Sequence, residues 1–69
     1  MMCNREIIGN KIKNIRQKKG LTQSQLSEMS QLTRTTISKI EAGKFNASID
    51  LIERLIKPLG AELDIKEVD

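Results

Sequence analysis

"GLTQSQLSEMSQLTRTTISKIEAGK", residues 20–44, decides how this chain folds, because it writes a helix-start signal twice in quick succession. At the first start, Thr22 is a good N-cap and Gln25 lies three residues on, the pairing of a reciprocal capping box, while Leu21 and Leu26 occupy the positions of a hydrophobic staple. At the second, Thr33 is the cap and Leu32 with Ile37 the staple. The first signal predicts a short helix over 23–29 with Leu26 and Met29 turned inward, ending near Ser30 and Gln31. The second predicts a helix over 34–41, buried through Ile37 and Ile40 and stopped by Gly43. At 100° per residue Thr35, Ser38 and Lys39 point away from that buried stripe, with Arg34 at its border. A helix with so few apolar residues spends most of its surface on solvent or on a partner.

The flanks supply two more helices. Asn4 is read as the cap of a helix over about 5–19, in which Ile8, Ile12 and Ile15 recur at helical spacing until Gly20. Beyond Phe45, Ser48 can cap a fourth helix with Asp50 in its first turn and Ile49, Ile52, Leu55 and Ile56 inward. Pro58 lacks an N–H and clashes with the preceding turn, so that helix should end or kink near Ile56 or Lys57. After Gly60, Ala61, Leu63 and Ile65 alternate with Glu62, Asp64 and Lys66, a period of two that predicts a strand. A lone strand needs a neighbour, and the same strand of a second subunit would supply one; a frayed tail or another helical turn is the alternative. The expected architecture is all-α, four to five helices over residues 1–60, with a C-terminal strand or tail over 61–69 that dimerises.

Composition narrows the function. Sixty-nine residues suffice for one small domain whose core is modest, which makes oligomerisation a natural expectation. No run of about 18 apolar residues is present, and the polar start MMCNRE is unlike a secretory signal, so a cytoplasmic setting is expected and no membrane. Cys3 is the single cysteine, which leaves no internal disulfide and no cysteine-based zinc cluster. Histidine, tryptophan and tyrosine are absent, so the usual general base, metal ligand and stacking surfaces are missing; neither an enzyme nor a cofactor nor a metal is expected. Charge is lopsided: Arg5, Lys11, Lys13, Arg16, Lys18 and Lys19 oppose only Glu6 in residues 1–20, whereas six acids oppose Arg54, Lys57 and Lys66 in 48–69. Such a field suits a polyanion at one end.

Two capped short helices joined by a tight connection are what a helix-turn-helix requires, the first bracing and the second presenting its N-terminal half to the major groove of double-stranded DNA. The run from Arg16 through GLTQSQL to TRTTISKIEAGK resembles the Xre/Cro-like helix-turn-helix family, which includes phage repressors, and the likeness extends over about residues 8–60. The resemblance implies that Gln23 bonds a phosphate and steadies the recognition helix, that Thr33 and Thr36 touch the backbone, and that Arg34, Thr35 and Lys39, with Ser38 nearby, face the bases. Lys44 and Asn46 would meet phosphates beyond the helix. It also implies a buried ion pair between Arg16 and Glu41 as a scaffold element. Three departures stand out: Gln31 occupies a turn position where the family commonly has glycine, Ala47 replaces a frequent proline, and Pro58 replaces a helix former near the end of the fourth helix. The implied function is a homodimeric, sequence-specific transcriptional regulator, most simply a repressor. Antitoxins that join the same motif to a C-terminal strand also resemble this chain, and imply instead a protein-interaction module with a toxin as partner. RNA binding is disfavoured because Phe45 is the sole aromatic.

Overall fold

In the computed structural model, which describes residues 3–65, the order is α1 (Asn4–Lys18), α2 (Gln23–Ser30), α3 (Arg34–Glu41), α4 (Ile49–Ile56) and a 3-10 turn (Lys57–Leu59). Each of the three later helices begins where a hydroxyl can accept a first-turn N–H. Gln25 N–H donates to Thr22, Thr36 N–H to Thr33 and Leu51 N–H to Ser48, at 3.0–3.1 Å. The box at Thr22 is reciprocal, its own N–H donating to the Gln25 side chain at 2.8 Å. Each such cap is worth about 1 kcal/mol against alanine, enough to fix the start of an eight-residue helix that could not persist alone.

α1 packs on α3, and α2 packs on α3, on α4 and on the 3-10 turn. Between them lies one apolar cluster of Ile12, Leu26, Ile37, Ile40, Ile52, Leu55, Ile56 and Leu59. Leu59 enters it because Pro58 ends α4 at Ile56 without releasing the chain: the 3-10 turn carries Leu59 back under the helices. Burial of such a side chain stabilises by about 1.5–3 kcal/mol. α1 approaches α3 at Gly9, where a Cβ would stand 2.3 Å from the Ile40 carbonyl oxygen and 2.8 Å from that of Glu41. Only glycine permits helices so close.

Several expectations are corrected. The N-cap of α1 is Cys3 rather than Asn4, which is already helical. Cys3 N–H donates to Glu6, and the Cys3 thiol first, then that N–H, hold the Glu6 carboxyl below the usual carboxylate range. Met29 is 50% exposed; the inward place at the end of α2 belongs to Ser30, which donates to the Leu26 carbonyl at 2.7 Å. Ile49 and Ile8 are 70% and 40% exposed, because each stands in an early turn that its neighbours do not cover. Residues 61–65 have no regular secondary structure, so the strand expected there is not formed by the single chain, whose edge would lack hydrogen-bond partners; Lys66 and the residues after it lie outside the described part. Among the described residues no helix is long and apolar enough to cross a membrane, and no group of side chains is arranged to hold a metal.

Candidate nucleic-acid interface

The connection between α2 and α3 is three residues long. Gln31 takes φ 61°, the left-handed conformation glycine would adopt freely, and its N–H bonds the Ser27 carbonyl at 2.8 Å. Ser30 reaches into the turn, where its hydroxyl also receives Leu32 N–H at 3.4 Å, and Arg54 of α4 donates to the Ser30 carbonyl at 3.2 Å. The turn is therefore held from both sides, and α3 leaves it at a fixed angle.

Behind α3 lies a polar tie that joins three helices. Arg16 and Glu41 are almost wholly buried and form a two-pronged pair, Nε to Oε2 at 2.7 Å and Nη2 to Oε1 at 3.0 Å. Arg16 Nη1 also donates to the Leu21 carbonyl at 2.7 Å, and Gln23 Nε2 donates to Glu41 Oε1 at 3.1 Å. Paired forks of this kind are strong and directional, and a buried guanidinium left alone would be costly. The tie locks the C-terminal end of α3 to α1 and to the first residue of α2. The expected Arg16–Glu41 pair is present, and the steadying role expected of Gln23 takes the form of its bond to Glu41; one amide hydrogen of Gln23 is committed there and the second remains for another acceptor.

In front of that tie the structure gathers most of the expected contact residues. Thr33, Arg34, Thr35, Ser38 and Lys39 are exposed on one continuous side of α3, while Ile37, Ile40 and Glu41 are buried on the other. Thr36 is half-buried, its hydroxyl 2.8 Å from that of the capping Thr33. Lys44 and Asn46 are exposed on the segment after Gly43, and Phe45 between them packs against the core, which fixes that segment to the end of α3. Gln23 is half-buried at the start of α2, lining a shallow cleft with Arg16, Thr22, Ser24 and Arg34. Of the first N–H groups of α2, that of Gln25 is taken by Thr22 while those of Gln23 and Ser24 precede any intrahelical acceptor, so this cleft joins a helix N-terminus to Arg34, a combination suited to an anionic oxygen. The side as a whole offers hydroxyls, the amides of Gln23 and Asn46 and the cations Arg34, Lys39 and Lys44. Gly9 was missed in the sequence because a close approach between helices leaves no local mark.

Comparison with known proteins agrees with this geometry. The family model described as "Helix-turn-helix" matches residues 12–66, most of the chain. The chain belongs to the Xre/Cro-like helix-turn-helix family. Its relatives in this family include the control protein C.BamHI of Bacillus amyloliquefaciens, 41% identical over 84% of this chain and 73% of that protein. The immunity repressor protein of Bacillus phage phi105 is 36% identical over 81% of this chain and 39% of its own length. The HTH-type transcriptional regulator PuuR of Escherichia coli is 38% identical over 80% of this chain. The alignment covers only 30% of PuuR, so what is shared with it is the helix-turn-helix domain. These relatives are named as a transcriptional regulator, an immunity repressor and a control protein, and the chain spans about a third of the length of the first two.

Proposed function

We propose that this chain is a sequence-specific DNA-binding regulator, a repressor that acts as a homodimer on an inverted-repeat operator. The observation that carries the reading is the exposed side of α3, with Thr33, Arg34, Thr35, Ser38 and Lys39 presented together and the helix clamped behind by Arg16, Glu41 and Gln23. On this reading Arg34 and Lys39 donate to the O6 and N7 of guanine, and the Thr35 methyl rests against thymine. Thr33, Thr36, Gln23, Lys44 and Asn46 bond phosphate oxygens on either side and set the register of α3 in the groove. One such helix reads few base pairs, so two copies on half-sites about 34–36 Å apart provide the discrimination a genome demands.

Selection from a random duplex pool, repeated at several salt concentrations, tests this. Recovery of a palindrome, bound with an affinity that falls steeply with salt at a slope of about −0.9 per phosphate contacted, supports the proposal. A pool that stays random refutes it. The apolar side chains exposed on α1 and the tail favour a second reading, an antitoxin-like role in which a protein partner such as a toxin covers them and DNA binding regulates the pair. Purification with a distinct protein in fixed ratio would support that reading over the first.

A further inference from the structure

Four of the six large apolar side chains exposed among the described residues are Ile7 and Ile8 on α1 and Leu63 and Ile65 on the tail. Two of them, Ile8 and Leu63, line one groove of about 300 Å³. α1 forms one wall with Ile8, Lys11 and Ile15, and α4 provides the buried floor with Ile52 and Ile56. The tail forms the opposite wall through Glu62, Leu63 and Asp64. Ile7 lies one turn before Lys11 on the same stripe of α1, and so extends the apolar edge. The groove is thus apolar along its length with a cation on one side and two carboxylates on the other, and no ion pair joins them among the described residues.

We propose that this groove is the surface by which a second copy of the chain docks. The inference rests on the homodimer reading above and names the face it uses. A two-fold axis running along the groove would bring the Lys11 wall of each copy against the Glu62 and Asp64 wall of the other, so that each Lys11, which makes no ion pair in one chain, would face two carboxylates, of which Asp64 already accepts the Ile65 N–H at 2.8 Å. The apolar centre would then be flanked on each side by one lysine with its facing carboxylates, the arrangement of a desolvated core with a charged rim. The other exposed apolar residues, Met29 and Ile49, do not share such a groove: the cleft that Met29 lines between α2 and α4 does not include Ile49, and its acids Asp50 and Glu53 stand one helical turn before its bases Arg54 and Lys57. Position on α1 agrees too. Gly9 and Arg16 mark the edge of α1 that meets α3, and Lys11 lies about 160° round the helix from Gly9, so docking there leaves both recognition helices uncovered.

The test is sedimentation of the full chain and of three variants: Lys11→Glu, the pair Glu62→Lys with Asp64→Lys, and all three changes together. These positions are exposed and outside the core, and unchanged circular dichroism verifies that each variant is folded. Each single-wall reversal is expected to weaken self-association about tenfold or more, since like charges then face each other at two symmetry-related places, and the triple exchange to restore it to within about threefold. A dimer indifferent to both reversals, or one that the triple exchange fails to restore, would overturn this choice of face while leaving the homodimer standing. A wild-type chain that stays monomeric at every concentration, alone or bound to a different protein, would overturn both.

Discussion

Replacing Glu41 by alanine should damage this domain more than any change on its surface. Glu41 accepts Arg16 Nε at 2.7 Å, Arg16 Nη2 at 3.0 Å and Gln23 Nε2 at 3.1 Å, and Arg16 beneath it is 7% exposed. Without Glu41 the guanidinium keeps only the Leu21 carbonyl. Breaking one side of a buried pair costs about 3–5 kcal/mol, and the partial support from Leu21 places Glu41→Ala near the lower end, about 3 kcal/mol. A chain of this length has a total stability of about 3–10 kcal/mol, so the variant should be near or past its threshold, with Tm lowered by about 12–24 °C. Urea and thermal unfolding followed by circular dichroism measure both quantities. The reasoning also requires that Arg16→Met with Glu41→Leu, which removes both charges and keeps the volume, regain most of the loss. A loss below about 1 kcal/mol for Glu41→Ala, or a double variant no better than the single one, would refute the argument that a stranded buried charge is what makes the tie indispensable.

Other substitutions test separate parts. Gly9→Ala should cost about 1–3 kcal/mol in urea unfolding, because its Cβ would meet the carbonyl oxygens of Ile40 and Glu41 and backbone must move. Gln31→Gly should raise stability by about 0.5–1 kcal/mol, since φ 61° strains glutamine and the side chain is exposed; an unchanged or lowered Tm would show that the turn relaxes by another route. On a selected duplex, Arg34→Ala should cost about 1–3 kcal/mol of binding and relax preference at one position, whereas Lys44→Ala should weaken all sequences alike and reduce the salt slope by about one, both read by titration.

What the sequence revealed and what it hid divide along a physical line. Thr22, Thr33 and Ser48 were readable as caps because a cap acts over three residues, whereas the left-handed φ at Gln31 was legible only through the family likeness, which commonly has glycine there. The contrast between Ile37 with Ile40 and the polar side of α3 followed from helical geometry alone, which is why the candidate contact face could be placed before any fold was known. Periodicity failed at Met29, Ile49 and Ile8, for it marks an apolar stripe but not where the neighbouring helix stops. Arg16 and Glu41 stand 25 residues apart, and their pairing came from family likeness rather than from spacing; likeness also implied that Gln23 steadies the recognition helix, but not that Glu41, 18 residues distant, is the partner through which it does so. The tail read as a strand by alternation, but a strand is made by its neighbour, and one chain offers none.

The claim beneath the whole account is that the exposed side of α3 enters a groove of DNA. Amide chemical shifts of the isotope-labelled protein, recorded as a selected duplex is added, test it most directly. The expected result is that changes concentrate at residues 33–39 and 44–46 and at Gln23, while Leu26 and Leu55 in the core stay still. Shifts confined to the α1 and tail flank, with α3 silent, would contradict it.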